Sequence, residues 1–325
     1  MEIPTTIIQY IIALILLFAG MLIYFKIAYK YDIIDNPNER SSHDYATVRG
    51  GGIVFWLAGL FYSVMYLPES IFFLAGISLI CGISLWDDIT SLPDKVRIII
   101  QFFAVSLIFY DFGVYSTLPW WLIIIAYIFF VGAINAYNFM DGINGITGLY
   151  SLVVLICLQY VNKEVIPFSD PAFLYYAILS CFVFLFFNFR ENAKCFAGDV
   201  GSIGISFWIM ILLFQLMLAT NQIIWVLFLA LYGVDSVCTI LHRIYLKQDI
   251  SKPHRLHFYQ ILVNEKKYSH LLITSIYAIL QLIICVIIIC LENKISELFL
   301  TLIILIPLML IYILKFRYMK TKRVK

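Results

Sequence analysis

Long apolar runs separated by short polar interruptions make up almost the whole chain. About eleven such runs can be drawn, over roughly 6–28, 50–67, 70–86, 98–112, 119–137, 146–162, 172–188, 202–219, 222–241, 270–291 and 295–315. Most approach the roughly 20 residues that a helix needs to cross a hydrocarbon core. Runs such as LLITSIYAILQLIICVIIICL (271–291) lack the strict alternation of barrel strands. Backbone groups in lipid must be satisfied within the segment, so these runs are expected to be helices. The pattern predicts an all-α polytopic membrane protein of about eleven transmembrane helices. It forms one integral domain over 1–325, because the longest polar stretch, about 242–269, is too short for a soluble domain.

Composition agrees with the pattern. Hydrophobic residues make up 63% of the chain and charged residues 13%, against about 45–50% and about 25% in soluble domains. A soluble fold is excluded on that ground. Lysine and arginine are strongly sided: of 22, all but Lys163 and Lys294 fall on one set of alternate loops and the tail. The positive-inside rule makes that side cytoplasmic. With an odd number of spans, the N-terminus is then outside and the C-terminus cytoplasmic. The first run follows Glu2 with no basic flank and no small-x-small site, so it is expected to be retained as a span. The seven cysteines form no CxxC or zinc spacing and are expected to act as small apolar residues.

The polar interruptions on the basic side carry the candidate chemistry: 35–52, 86–97, 135–148, 188–202 and 242–260. Asp87 and Asp88 end the third run; about 100° apart on a helix, they face different neighbours. NAYNFMDGINGITG (135–148) offers Asn138, Asp141 and Asn144, with Gly142, Gly145 and Gly148 allowing close approach. Asp141 and Asn144, three apart, would share a face of a helical turn. FAGDVGS (196–202) sets Asp199 between glycines at the start of a helix, an arrangement suited to anions through its amides and to magnesium through the carboxylate. Ser202 or Asp199 could instead cap that helix. Arg40, His43 and Arg49 precede the triple glycine 50–52, which implies close packing or ligand approach. Arg243, Arg255 and His257 add cations that match phosphate. Asp235 lies within the ninth run and needs a partner, for which Arg243 is a candidate.

Two carboxylates 4 Å apart repel by about 4 kcal/mol at an effective dielectric near 20. A divalent cation removes that repulsion, and the surrounding arginines and histidines suit a diphosphate. The residues therefore point to metal-assisted phosphoryl transfer at the cytoplasmic membrane boundary. An intramembrane aspartyl protease would need two aspartates sharing a proton within the bilayer. A transporter would need polar groups near mid-membrane. Here the polar residues gather on one face.

In order and spacing, these clusters resemble those of the polyprenyl-phosphate N-acetylhexosamine-1-phosphate transferase superfamily, glycosyltransferase family 4. WDDITSLP (86–93) resembles its DDxxxLP element, NAYNFMDGINGITG its NxxNFxDGIDG element, and FNFRENAKCFAGDVGS (187–202) its FNxxPAKxFxGDxGS element. HRLHFYQ (254–260) stands where the family has an Arg/His-rich cytoplasmic loop. The resemblance spans about residues 30–270, the expected catalytic core. Departures are Asn144 in place of a second Asp, Glu191 and Asn192 near the usual Pro-Ala-Lys, and His-Phe-Tyr-Gln in place of a histidine run.

The resemblance implies transfer of an N-acetylhexosamine-1-phosphate from a UDP-sugar to undecaprenyl phosphate, releasing UMP, as the first step of a cell-surface glycan such as O-antigen, capsule or wall polymer. It implies Asp87, Asp88 and Asp199 as catalytic residues, with Asp199 and Asp88 at Mg2+, for which Mn2+ could substitute. Asn138, Asp141, Asn144, Asn188, Lys194, Arg40, His43, Arg49, Arg243, Arg255 and His257 would bind substrates. The expected partners are the donor, the lipid acceptor, membrane lipid and a second copy of the chain as a homodimer, with no nucleic acid. The expected location is a bacterial inner membrane.

Overall fold

Each of the eleven apolar runs forms a helix in the computed structural model, which describes residues 5–36, 45–249 and 254–318. Helix α1 (Thr5–Lys30) leads to a two-residue hairpin, β1 (Ile34–Asp35) antiparallel to β2 (Thr47–Val48). Helices α2 (Ile53–Met65), α3 (Ile71–Ile89), α4 (Asp94–Asp111), a single turn α5 (Val114–Thr117) and α6 (Trp120–Phe139) follow. Then come α7 (Ile146–Tyr160), α8 (Pro171–Asn188), α9 (Gly198–Thr220) and α10 (Ala230–Tyr245), the last entered through a 3-10 segment, Ile224–Leu229. A short α11 (Phe258–Asn264) precedes α12 (His270–Leu291) and α13 (Glu297–Tyr318).

Among the described residues, nine helices are long and apolar enough to cross a membrane. The chain is a multi-pass helical membrane protein. Of the other two expected spans, α2 has only 13 residues. The other, α4, begins with the charges of Asp94, Lys95 and Arg97 and ends on Asp111.

Local chemistry sets the helix ends. Asp170 caps α8 through the Ala172 amide (2.9 Å) with Pro171 at the first position, and Ser269 caps α12 through the Leu272 amide (3.2 Å). Helix α9 is apolar all round and buried from Val200 to Leu216 apart from Gln215. That is the signature of a central helix, and it packs against α2, α3, α6 and α7. Its closest neighbour is the start of α2: a Cβ on Gly52 would lie 2.0 Å from the Gly201 Cα. The triple glycine therefore serves helix packing.

Candidate active site

The polar segments at one end of the bundle converge around the first turn of α9. That turn has free amides, and its cap comes from another helix. Asp88, near the end of α3, accepts from the Asp199 amide on Oδ1 and from the Val200 amide on Oδ2, both at 3.0 Å. Its side chain is fully buried, and Arg49 Nε lies 3.1 Å from Oδ1. The anion expected at this helix start is thus the protein's own carboxylate. Gly198, with φ +68°, makes room: a Cβ there would sit 2.4 Å from Asp88 Oδ2. Ser202, considered as a cap, lies inside the helix and donates to Asn138 Oδ1 at 2.7 Å.

Asp87 points elsewhere, as the 100° offset requires. Its Oδ1 accepts from the Leu92 amide (2.6 Å), which closes the turn before Pro93. Its Oδ2 receives Arg97 Nη1 at 2.7 Å, and the same nitrogen donates to Asp199 Oδ2 at 2.6 Å. Arg97 also pairs with Asp94. Two carboxylates from α3 and α9 therefore meet around one cationic nitrogen. Arg97 was not singled out from the sequence, although it lies in the same polar cluster, one turn beyond Pro93.

These hard oxygen donors fit a magnesium ion. Among the described residues no cluster of three or more His, Cys, Asp or Glu is arranged as a metal cage. An ion held by one or two carboxylates would complete its shell with substrate phosphate and water, which is the usual magnesium arrangement. Both Asp88 oxygens are engaged by helix amides, whereas Asp87 shares the Arg97 nitrogen with Asp199.

The α6–α7 connection lies alongside. It is not a helical turn, and Asp141 and Asn144 do not share a face. Asp141 Oδ1 accepts from Thr147 Oγ1 at 2.7 Å. Burial pushes its carboxyl up to about 7, with Thr147 opposing, Asp199 adding to the rise and Arg49 opposing. Asn144 is buried and turned away: its Nδ2 donates to the carbonyls of Arg190 (2.8 Å) and Glu191 (3.0 Å). Asn188 is a second internal clasp, accepting from the Gly145 amide (2.6 Å) and donating to the Cys195 carbonyl (2.7 Å). The room beside Gly142, Gly145 and Gly148 is taken by Tyr259, Phe189 and Phe184, so these glycines admit protein atoms.

Lys194 is exposed, and its amide holds the Phe187 carbonyl at 2.9 Å. Tyr45 also went unremarked in the sequence; its hydroxyl donates to the Glu191 carbonyl (2.8 Å) and accepts from the Ala193 amide (2.7 Å). Arg40 and His43 lie outside the described residues.

The 254–260 segment reaches the α6–α7 connection through Tyr259, whose hydroxyl donates to the Phe139 carbonyl at 3.2 Å. His257 is buried with Nδ1 3.4 Å from Asp235 Oδ1, and Arg255 is half-buried beside it. Arg243, the partner expected for Asp235, instead donates to the Asp249 carbonyl. Both Asp235 oxygens accept from other donors. Among the described residues it therefore forms no proton-sharing pair with another aspartate of the kind a protease needs.

Residues 70–217 match the family model described as glycosyl transferase family 4. Over that segment the chain is similar to glycosyl transferase family 4. The match runs from the start of α3 into the last turn of α9 and so holds Asp87, Asp88, Arg97, Asp141 and Asp199. The chain is also 26% identical over 261 residues to a probable undecaprenyl-phosphate N-acetylglucosaminyl 1-phosphate transferase of Bacillus subtilis, covering 73% of this chain and 72% of that one.

Proposed function

We propose that this protein is a family 4 transferase, moving an N-acetylhexosamine-1-phosphate from a UDP-sugar to undecaprenyl phosphate at the cytoplasmic face of a bacterial inner membrane. The observation that carries this reading is the meeting of Asp87 and Asp199 on Arg97 beside Asp141, within the family segment. The product would be the lipid-linked first sugar of a surface glycan such as O-antigen, capsule or wall polymer. The siding of lysine and arginine supports eleven spans with the N-terminus outside, which puts this end of the bundle in the cytoplasm.

An oxygen of the carrier phosphate bonds to the β-phosphorus of the donor, the bond to the bridging oxygen breaks, and UMP leaves. Two anions must approach, so cations decide the rate. Arg97 and Arg49 face the carboxylates that would flank the acceptor phosphate, and Arg255 supplies positive charge for the donor diphosphate, with His257 beside it. Magnesium, held by Asp199 and Asp87, would supply charge neutralisation at the transferred phosphate. Asp88 keeps the α9 amides and Arg49 in place. Asn138 and Asp141 line the donor side.

The test is a membrane assay with undecaprenyl phosphate, magnesium and a panel of UDP-N-acetylhexosamines, following UMP and lipid-linked sugar. One donor should give magnesium-dependent product that Asp199→Asn abolishes. Folded wild-type protein that makes no product with any donor would overturn the reading.

A further inference from the structure

Behind the carboxylates of α3 and α9 lies a second polar cluster, buried between α10, α12, α13 and the start of α11. Its centre is Asp235, 3% exposed. The Phe258 amide lies 2.9 Å from Oδ1 and 3.1 Å from Oδ2. Tyr277 of α12 donates to Oδ2 at 2.8 Å, and Thr239 of α10 donates to Oδ1 at 3.3 Å. His257 Nδ1 faces Oδ1 at 3.4 Å.

The network continues into α13. Thr239 Oγ1 lies 2.9 Å from the Tyr312 hydroxyl and 3.2 Å from Lys315 Nζ. Lys315 also bonds the Tyr312 hydroxyl and is 0% exposed. By sequence it belongs with the basic tail; in the structure it is a buried cation at the end of the carboxylate's chain of partners.

A buried carboxylate is costly unless such partners surround it. Helix packing alone would be served as well by an apolar residue, so the choice of Asp needs a reason. What the carboxylate holds is one short segment. It grips the Phe258 amide and faces the His257 ring at 3.4 Å, and the next residue, Tyr259, is tied to the Phe139 carbonyl and packs on Gly142. The stretch that carries Arg255 and His257 is thereby fixed at one end to α10 and at the other to the loop that carries Asp141.

We propose that Asp235, supported by Thr239 and Lys315, is a positioning residue that holds Arg255 and His257 against the donor side of the site. This rests on the transferase reading above. Asp235 itself touches no substrate; it acts through the 255–259 segment.

The experiment compares steady-state kinetics of wild type, Asp235→Asn, Tyr277→Phe and Lys315→Met in the transfer assay, with thermal melts alongside. Asp235→Asn should lower kcat/KM for the UDP-sugar about 10–100-fold, the range typical of a misplaced catalytic constellation. The KM for undecaprenyl phosphate should stay within about twofold, because nothing at Asp87 or Arg97 has moved. Tyr277→Phe removes one of the hydrogen bonds and should shift the same donor parameter in the same direction by less, with the melting temperature kept. Lys315→Met should do likewise.

A double-mutant cycle decides between positioning and plain stability. In a His257→Ala background, Asp235→Asn should add little, since both changes act through one segment. Fully additive losses, or equal losses for both substrates, would overturn the proposal. If Asp235→Asn does not fold, the Tyr277→Phe and Lys315→Met kinetics answer the same question. Wild-type turnover with an unchanged donor parameter in all variants would sink this inference alone, whereas an inactive wild type would sink the transferase reading.

Discussion

Replacing Asp88 by Ala should destabilise the whole bundle, because its carboxylate caps α9 from another helix. The change leaves the amides of Asp199 and Val200 buried with no acceptor. Each orphaned buried donor costs about 1–3 kcal/mol, so the pair costs roughly 2–6 kcal/mol. The Arg49 ion pair adds little, since that guanidinium is 43% exposed and solvent screens it. At about 2 °C per kcal/mol, the expected fall in Tm is roughly 4–12 °C. Asp88→Asn keeps one acceptor and should lose about half as much. The assay is thermal unfolding of detergent-solubilised protein at one fixed scan rate, since such transitions are often irreversible. Asp199→Asn is the comparison: its carboxylate meets Arg97, which Asp87 and Asp94 also hold, and caps no helix, so the variant should melt near wild type while losing turnover. An Asp88→Ala protein that melts within about 1 °C of wild type would refute the interhelical cap.

Other outcomes follow from the same geometry. Gly52→Ala forces a Cβ to within 2.0 Å of the Gly201 Cα, and backbone cannot yield cheaply. It should cost at least about 1–3 kcal/mol in a melt, whereas Gly82→Ala, with open space around it, should be neutral or slightly stabilising. Arg97→Gln removes the cation between Asp87 and Asp199 and should lower kcat about 10–100-fold, by the worth of a charge-assisted hydrogen bond; turnover within twofold of wild type would contradict the role. Asp141 has its carboxyl raised from 3.8 to about 7, so the folded state holds a proton that the unfolded chain releases. Stability should therefore fall as pH rises through that interval, and Asp141→Asn should flatten this dependence in melts taken from pH 5 to 8.

The sequence was most legible where physics is one-dimensional. Apolar runs predicted the helices because lipid forces each segment to satisfy its own backbone. The convergence of five polar clusters followed from their falling on alternate loops. Pairings across the fold were hidden. The α9 amides offer an anion site in sequence, but nothing local says that Asp88, 111 residues away, fills it. Asn144 and Asn188 look like ligand-binding amides by residue type, yet the folded loops use them as clasps, because their irregular backbone leaves carbonyls and amides to satisfy. Asp235 carried a readable signal: Asp235, Thr239 and Arg243 recur every four residues and are all buried on α10. Lys315 had none, since a basic residue near the end of a final span looks the same whether it snorkels or is buried.

The central claim is that a sugar phosphate, and not a bare sugar, moves to the lipid at the Asp87–Arg97–Asp199 cluster. Donor labelled at the β-phosphorus tests this most directly, with the label followed into the lipid fraction in the presence of undecaprenyl phosphate. The account predicts β-label in the lipid together with released UMP, both lost in Asp199→Asn. Sugar in the lipid with the β-label left behind as UDP, or undiminished labelling by Asp199→Asn, would contradict it.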